Sequence, residues 1–255
     1  MLSSAEIESF ERDGFVALRG VVPSDVIRAC REQVDLVLRH HGVDPEDPAT
    51  WTQPVVRVMC PLSPELRTAG TMPALWEAYD QLLGPGRWQR HLGMGGTIPV
   101  RFPHPDDPGD AGWHLDGGYL GPDGTYWINR ASRGRGLLVL FLLDDVGPDD
   151  APTELKVGSH LDLPAVLEPF GDEGASFLTV AQHFPPSTLE RESAFATGDG
   201  GDVFVCHPFL VHRATWPHRG TRPRAIAQPG VVIDGQLALD GGDAFPVERA
   251  ISRAG

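Results

Sequence analysis

The sequence predicts a mainly β protein with helices in its N-terminal part, on the evidence of three observations. Helical periodicity, with apolar residues three and four positions apart, is found in residues 1–85. In residues 86–230 it gives way to short apolar or alternating runs separated by Gly, Pro, Asp and Asn, which is typical of a β-sandwich or barrel. Residues 231–255 form a C-terminal extension, and because no repeat or linker divides the 255 residues, we expect a single domain.

Helices are predicted over three N-terminal segments, each of which ends at a glycine: Ser3–Gly14, Ser24–Gly42 and Pro73–Gly84. In the first, Glu6 lies three residues after Ser3, which is the spacing of a capping box. Ser24 is a favourable N-cap residue for the second helix, and Pro73 suits the first turn of the third. The run Phe15–Arg19 between the first two helices predicts a strand.

Nine short segments after residue 86 are predicted as strands: Arg87–His91, Gly96–Phe102, Gly112–Asp116, Thr125–Asn129, Gly136–Leu143, Ser176–Ala181, Ser193–Ala196, Asp202–Cys206 and Arg222–Gln228. One helical segment, Leu163–Phe170, interrupts this series. The Pro-, Gly- and Asp-rich segment Phe102–Gly112 is predicted as a loop. Since it directly precedes a strand with candidate metal ligands, we expect it to form the rim of an active site.

The composition argues against several classes of function. A formal net charge of −14 and a pI near 5.0 do not favour nucleic-acid binding. The longest apolar run, Leu137–Leu143, is too short to span a bilayer, and the first residues lack the basic and apolar regions of a signal peptide. The cysteines, Cys30, Cys60 and Cys206, have no metal-like spacing, so we interpret them as reduced thiols of a cytoplasmic protein without a membrane partner.

A histidine and an aspartate lie two residues apart in the segment Trp113-His114-Leu115-Asp116. If the backbone is extended there, both side chains point to one face, because side chains alternate along a strand. One imidazole nitrogen and one carboxylate oxygen are two of the three ligands in the 2-His-1-carboxylate site of non-heme Fe(II) oxygenases. His114 and Asp116 are therefore candidate metal ligands, and a histidine from elsewhere in the chain must supply the third.

Two histidines late in the chain are candidates for the third ligand. His207 ends an apolar strand and His212 follows the next turn, whereas we interpret the other histidines as surface or core residues. Arg222 and Arg224 lie 10 and 12 residues beyond His212 and would share one face of a strand. A guanidinium binds a carboxylate through two parallel hydrogen bonds, so either arginine is a candidate to bind the far carboxylate of a chelating co-substrate. The alternative is that both are solvated charges of an edge strand.

In this order and spacing, the motifs resemble those of the phytanoyl-CoA dioxygenase (PhyH-like) family of Fe(II)- and 2-oxoglutarate-dependent oxygenases. Ile7–Val16 is similar to the family's first helix and strand, and Trp113–Gly117 resembles its metal-binding H-x-D motif. Leu142–Val146 and Val157–His160 are similar to the family's strand and Pro-Gly-Ser-His turn, with valine in place of proline. His212 and the arginines after it resemble the family's distal histidine and 2-oxoglutarate clamp.

The resemblance implies a double-stranded β-helix, the cupin-like jelly roll, with helices packed outside. It also implies that Fe(II) is held by three residues: His114, Asp116 and His212. His212 is thereby favoured over His207. 2-Oxoglutarate would chelate the iron, with Arg224 or Arg222 on its distal carboxylate, and Thr153 lies where family members often place a hydroxyl near this co-substrate.

With O₂ as the oxidant, the implied activity is hydroxylation of an unactivated C–H bond of a small molecule, with release of succinate and CO₂. Related halogenases replace the carboxylate ligand by a small residue, so Asp116 favours hydroxylation over halogenation. Four residues near the motifs are predicted to contact the substrate: Arg101, Tyr119, Tyr126 and Trp127.

Three alternatives to hydroxylation remain open at this point. An oxygenase of the same family could desaturate, cyclise or epimerise its substrate. A cupin-like hydrolase or isomerase could use the same ligands for zinc or manganese without 2-oxoglutarate. A non-enzymatic β-sandwich could contain the H-x-D pattern by chance.

Overall fold

A computed structural model describes residues 1–90, 93–239 and 244–252 of the chain. The helices in this part are α1 Ser4–Asp13, α2 Ser24–His40, α3 Pro64–Gly70, α4 Pro73–Leu83, α5 Leu163–Leu167, α6 Phe177–Ala181, α7 Pro186–Leu189 and α8 Pro246–Ser252. The strands are β1 Phe15–Leu18, β2 Val55–Met59, β3 Thr97–Arg101, β4 Tyr119–Leu120, β5 Tyr126–Ile128, β6 Leu137–Leu142, β7 Glu154–Lys156, β8 Ala175–Ser176, β9 Ser193–Phe195, β10 Val203–Cys206, β11 His212–Arg213, β12 Arg224–Ala227 and β13 Gly230–Val231. None of these helices combines the length and the apolarity that crossing a membrane requires. The three cysteines are free thiols, as the sequence predicts.

Capping side chains set the start of α1, as the sequence predicts. The Ser3 hydroxyl accepts a hydrogen bond from the Glu6 N–H at 3.3 Å, and the Glu6 carboxylate accepts one from the Ser3 N–H at 2.7 Å. Gly14 ends the helix in the left-handed conformation at a φ of 86°, which glycine adopts without a side-chain clash. The start of α2 differs from the prediction: Ser24 is already helical, and Pro23, whose ring fixes its φ, is the N-cap residue.

The strands form one large antiparallel sheet and two smaller ones. The large sheet has the order β1-β10-β6-β12-β3-β2, and β13 pairs with β6 beside β12. The second sheet has the order β11-β7-β9, and the third has the order β4-β5-β8. Strands that are distant in the sequence are therefore neighbours in the large sheet, which is what a β-sandwich or barrel requires.

Strand β6 lies in the middle of the large sheet and is buried on both faces. Its alternate residues Leu137, Val139 and Phe141 pack in the core that the sheet shares with the helices. The other face packs in a second core, which includes Leu138, Leu140 and Leu142 of β6, Leu155 of β7 and Ile226 of β12. Since β7 belongs to the second sheet, this second core lies between the two sheets, and we call it the interior core.

Two predicted strands have a different structure. Ser176–Ala181 forms helix α6 after the short β8, because the hydroxyl of its first residue accepts a hydrogen bond from the Thr179 N–H at 3.1 Å and caps the helix. Gly112–Asp116 is reduced to an isolated bridge between His114 and His212, because only His114 in this segment pairs with a neighbouring backbone. The other predicted strand cores after residue 95 are found within one or two residues of their expected ends.

The predicted strand Arg87–His91 forms a bridge between Trp88 and Ile233, and His91 lies outside the described residues. Eight elements are not evident from the sequence pattern: β2, α3, β4, β7, α7, β11, β13 and α8. In β2 the exposed Arg57 interrupts the apolar run, which an edge strand of the large sheet tolerates because one side of it faces solvent.

Two buried histidines connect the first and last helices to the core. The rings of His160 and His207 lie 4.8 Å apart between centroids, and both side chains are fully buried. His160 Nε2 donates to the Glu11 carbonyl of α1 at 3.1 Å, and His207 Nε2 donates to the Val247 carbonyl of α8 at 3.0 Å. Burial lowers the pKa of His160 to about 4, and burial together with His160 holds the pKa of His207 well below its usual value. Both rings are therefore neutral at pH 7.

We predict that this pair makes the fold sensitive to mild acid. The unfolded chain binds a proton at His160 near pH 6.5, whereas the folded chain does so only near pH 4. The unfolded state thus holds more protons in this window, so stability falls as the pH drops through it. Between pH 6.5 and 5 the expected loss from His160 is roughly 1.5 kcal/mol in the free energy of unfolding.

Urea unfolding of the wild type and of His160→Gln at pH 7, 6 and 5 measures this dependence. The variant should lose less stability than the wild type between pH 6.5 and 5, because one proton-binding site of the unfolded chain is removed. The exposed His41→Gln serves as the control and should follow the wild type. Equal slopes for His160→Gln and the wild type would contradict the prediction.

Candidate metal centre

His114 and His212 face each other across an antiparallel backbone pair. The His114 N–H donates to the His212 carbonyl at 3.0 Å, and the His212 N–H donates to the His114 carbonyl at 2.9 Å. Residues that exchange both hydrogen bonds in this way point their side chains to the same side. The two imidazole rings consequently lie 4.5 Å apart between centroids. Sheet geometry thus brings together two histidines that are distant in the sequence.

Backbone carbonyls orient both imidazole rings. His114 Nδ1 donates to the Gly112 carbonyl at 2.8 Å, and His212 Nδ1 donates to the Leu210 carbonyl at 2.9 Å. In a neutral imidazole the other nitrogen is then an acceptor, so each Nε2 has a lone pair for a metal ion. The arrangement fixes which nitrogen of each ring is the potential ligand atom.

Asp116 completes a group of three potential ligands. One ligand atom from each of His114, Asp116 and His212 lies within 4.8 Å of the other two. Two imidazole nitrogens and a carboxylate oxygen are the donor set of mononuclear non-heme iron sites, so the residues present fit a divalent metal ion. The Asp116 side chain is 30% exposed and makes the group accessible from solvent. His207, the other candidate for the third ligand, donates a hydrogen bond to the Val247 carbonyl of α8 instead.

The surroundings of the group set its protonation state. Burial raises the pKa of Asp116, but Arg135 and the two imidazoles more than offset this effect, so that the pKa lies below its usual value. Burial lowers the pKa of His212 to about 4; the neighbouring His114 acts in the same direction, whereas Asp116 opposes the shift. At pH 7 the group therefore presents a carboxylate anion and a neutral buried imidazole, as metal binding requires.

Arg135 contacts the carboxylate ligand and has no counterpart in the sequence prediction. Its Nη1 lies 3.3 Å from Asp116 Oδ2, and its Nε and Nη2 donate to the Gly117 carbonyl at 3.1 and 2.8 Å. A side chain at position 230 would put its Cβ 2.7 Å from Arg135 Nη1, so Gly230 allows the guanidinium to lie where it does. Arg135 lies two residues before the start of β6 and belongs to no sequence motif. Only the folded structure therefore identifies it as a partner of Asp116.

Phe177 lies beside the His114 ring in an edge-on arrangement. The two ring centroids lie 6.3 Å apart with an interplanar angle of 64°. Phe177 is the first residue of α6, a segment that the sequence pattern predicts as a strand. The side chain therefore reaches the candidate metal centre because of the helix cap at Ser176, which the pattern did not reveal.

The hairpin β4–β5 packs on the backbone that follows Asp116. The Gly118 N–H donates to the Trp127 carbonyl at 2.7 Å. A Cβ at Gly117 would lie 2.7 Å from the Tyr126 carbonyl carbon, so glycine is needed at 117 for this close approach. Gly117 thus allows the hairpin to pack beside the candidate metal centre.

The hairpin carries three of the predicted substrate residues. The Tyr119 hydroxyl donates to the Glu173 carbonyl, and Trp127 Nε1 donates to the Asp123 carboxylate at 2.9 Å. The Tyr119 bond attaches the hairpin to residue 173, and the Trp127 bond lies within the hairpin and stabilises its turn. Tyr126 is 54% exposed and free to contact a ligand.

The two candidate arginines of the second half have different positions. Arg222 is exposed, whereas Arg224 is 2% exposed. Ile226 lies two residues after Arg224 on the same face of β12 and packs in the interior core, so Arg224 points between the two sheets. Its Nε donates to the carbonyls of Asp150 and Ala151, both at 3.1 Å.

Arg101 and Thr153 lie on the same buried side as Arg224. Arg101 is 4% exposed, and its backbone lies opposite that of Arg224 in the register between β3 and β12. Thr153 is 2% exposed and lies two residues before Leu155 of the interior core. The structure thus brings Arg101 to the arginine predicted for the co-substrate, and not to the hairpin with the tyrosines.

No curated protein sequence matches this chain. Solved structures resemble its fold at low sequence identity. The α-ketoglutarate-dependent carbocyclase SnoK from nogalamycin biosynthesis has a TM-score of 0.58 and 18% identity, covering 91% of this chain and 84% of that one. The epimerase SnoN with Fe³⁺, α-ketoglutarate and nogalamycin RO has a TM-score of 0.58 and 18% identity over 90% and 82%. HygX from Streptomyces hygroscopicus with nickel and 2-oxoglutarate has a TM-score of 0.56 and 18% identity over 91% and 88%.

The family model of phytanoyl-CoA dioxygenase (PhyH) matches residues 10–226 of this chain. The matched range extends from α1 to β12 and includes the candidate ligands His114, Asp116 and His212. It confirms the family resemblance that the sequence motifs indicate. The chain belongs to the phytanoyl-CoA dioxygenase (PhyH) family.

Proposed function

We propose that this chain is an Fe(II)- and 2-oxoglutarate-dependent dioxygenase that hydroxylates an unactivated C–H bond of a small molecule and releases succinate and CO₂. The observation that carries the proposal is the group His114, Asp116 and His212, whose ligand atoms lie within 4.8 Å of one another. Its donor set and its protonation state suit Fe(II), and the exposed side of Asp116 gives a substrate access to it.

The strand arrangement supports a double-stranded β-helix of one domain over residues 1–255. In this arrangement the large sheet contributes β10, β6, β12 and β3, and the second sheet contributes β11, β7 and β9 with the bridge at His114. Leu155 and Ile226 come from opposite sheets and meet in the interior core. Helices α1 to α4 and α8 contribute to the core on the outer face of the large sheet, whereas α6 contacts β5 and β8 of the third sheet.

Each residue of the metal centre has a defined role in this proposal. His114 and His212 would hold iron through Nε2, and Asp116 would hold it through its carboxylate. Bound Fe(II) supplies the activation of O₂ that is coupled to decarboxylation of 2-oxoglutarate. Arg135 contacts one oxygen of Asp116 and so orients the carboxylate that would hold the metal ion. Phe177 contacts the His114 ring in an edge-on arrangement and limits its movement.

The co-substrate and the substrate approach the centre from different sides in this proposal. Arg224 binds the distal carboxylate of 2-oxoglutarate because it is the candidate arginine that points between the sheets, and Thr153 lies on the same buried side. Arg222 is exposed and is not assigned this role. Tyr126 contacts the small-molecule substrate at the accessible side, with Tyr119 and Trp127 holding its hairpin.

Cyclisation or epimerisation is the second candidate outcome at the same centre, because two structures with this fold are a carbocyclase and an epimerase. Turnover under ¹⁸O₂ separates these outcomes. Hydroxylation places one labelled oxygen atom in the organic product, whereas cyclisation or epimerisation leaves the product unlabelled while succinate still carries label.

We predict that the wild type binds Fe(II) and 2-oxoglutarate together at this centre. In an anaerobic titration, Fe(II) followed by 2-oxoglutarate should give the weak visible charge-transfer band of a chelated keto acid. His212→Ala and Asp116→Ala should each lose the band, because two protein ligands hold the ion poorly. His207→Gln is the matched control, since His207 faces α8, and it should keep the band.

Each other result of this titration has a definite meaning. Iron binding without a band would exclude 2-oxoglutarate and support a cupin-like hydrolase or isomerase with zinc or manganese. Absence of metal binding in the wild type would leave a binding or structural protein that shares the family fold. A band that survives in His212→Ala would overturn the assignment of the third ligand.

Arg135 should control metal affinity through Asp116. We predict that Arg135→Met weakens Fe(II) binding about 10- to 100-fold, because partners that orient metal ligands typically contribute this much. Anaerobic competition with a chelator measures the dissociation constant independently of turnover. Arg133→Met, two residues away with its guanidinium over the Tyr119 ring, is the control and should bind iron like the wild type. Wild-type affinity in Arg135→Met would contradict the positioning role.

The two arginines of the second half should differ in their effect on the co-substrate. Arg224→Gln should weaken binding of 2-oxoglutarate to the Fe(II)-loaded protein on the order of 10- to 100-fold, since hydrogen bonds to charged groups contribute about 1.5–3 kcal/mol. Arg222→Gln should leave the affinity for 2-oxoglutarate within about twofold of the wild type, because an exposed charge contributes little to binding. Titration of the charge-transfer band gives both constants. The reverse order would assign the role to Arg222.

A further inference from the structure

Two buried arginines lie directly opposite each other between the sheets. Arg101 of β3 and Arg224 of β12 are register partners in an antiparallel pair, so their side chains are on the same face. That face also carries Ile226 of the interior core. Ala225 and Val100 point to the other face and pack in the core that the sheet shares with the helices. The two side chains are 4% and 2% exposed.

This placement puts two like charges together in a poorly hydrated site. Like charges directly opposite each other on neighbouring strands destabilise a sheet. Burial lowers the pKa of Arg224 to about 9, and the charge of Arg101 contributes to this shift. Both observations indicate that Arg224 lacks an anionic partner adequate to its charge.

The carboxylates that act on Arg224, those of Asp110, Asp144 and Asp150, each have another partner, and Asp150 accepts a hydrogen bond from the Gly147 N–H at 2.7 Å. Arg101 Nη2 donates to both oxygens of Asp110 at 2.8 Å, and the same carboxylate is bound by Arg57 of β2. Asp144, which acts on Arg224 at longer range, is bound by Arg31 at 3.0 Å and by the backbone. The hydrogen bonds of Arg224 in the described part of the chain go to backbone carbonyls.

We propose that Arg101 is a second carboxylate-binding residue, which holds the distal carboxylate of 2-oxoglutarate together with Arg224. One carboxylate between two guanidiniums converts their repulsion into two charge-assisted hydrogen-bonded contacts. The bond of Arg101 to Asp110 uses one of its terminal nitrogens, so other N–H groups of this guanidinium remain for the ligand. The proposal rests on the proposed function and reassigns Arg101 from substrate to co-substrate.

A dicarboxylate without a keto group tests this clamp separately from the iron. Glutarate has the chain length of 2-oxoglutarate but does not chelate a metal through a keto acid. Calorimetry of the Fe(II)-loaded full-length protein without oxygen should detect glutarate binding in the wild type. Arg101→Gln should weaken glutarate and 2-oxoglutarate binding on the order of 10- to 100-fold and leave Fe(II) affinity within about twofold. The affinity of Arg101→Lys for both ligands should lie between that of the wild type and that of Arg101→Gln, because lysine keeps the charge.

Arg57→Gln is the matched control. Arg57 binds the same Asp110 carboxylate, but its side chain is 50% exposed and lies on the edge strand. Its removal tests whether the loss in Arg101→Gln comes merely from disturbing Asp110. In steady-state assays with the natural or a surrogate substrate, Arg101→Gln should raise the KM for 2-oxoglutarate more than it lowers kcat.

Three results would overturn the proposal. Wild-type glutarate and 2-oxoglutarate affinity in a folded Arg101→Gln variant would assign the carboxylate to Arg224 alone. Equal losses in Arg101→Gln and Arg57→Gln would make Arg101 a structural partner of Asp110. Absence of glutarate binding in a wild type that gives the charge-transfer band would refute the clamp and leave the proposed function intact. An Arg101-dependent glutarate site in a protein without the band would instead refute the proposed function and leave the clamp.

Discussion

The backbone pair between His114 and His212 is the interaction on which the rest of the site depends. Its two hydrogen bonds, at 3.0 and 2.9 Å, attach the segment after the rim loop to β11 and thus to the second sheet. The same pair sets the two imidazoles side by side, so the fold and the candidate metal centre rely on one contact. Asp116 follows two residues later and reaches the same side, although its segment is not a regular strand.

The surroundings of this pair prepare the side chains for metal binding before any ion is present. Carbonyls of Gly112 and Leu210 fix the tautomer of each ring, and Arg135 fixes one oxygen of Asp116. Ligands held in this way lose little conformational freedom when a metal ion binds. Two backbone carbonyls and the side chain of Arg135 therefore orient the three candidate ligands.

Side-chain periodicity made part of this arrangement predictable from the sequence. The H-x-D spacing identified His114 and Asp116, and the buried strands β6 and β10 follow from their apolar runs. Residue spacing alone left open both the choice between His207 and His212 and the choice between Arg222 and Arg224, because each depends on which strand lies opposite. Arg135, Phe177 and the pairing of Arg101 were not predictable, since a cap at Ser176 and contacts across distant strands place them.

The loop Phe102–Gly112 links the two ends of the proposed co-substrate site. It begins immediately after Arg101, it carries Asp110, which binds that arginine, and it ends at the carbonyl that orients His114. A change in the conformation of this loop would therefore alter the carboxylate clamp and the metal ligand at the same time. The loop thus connects Arg101 of the proposed clamp to the metal ligand His114 through one short stretch of backbone.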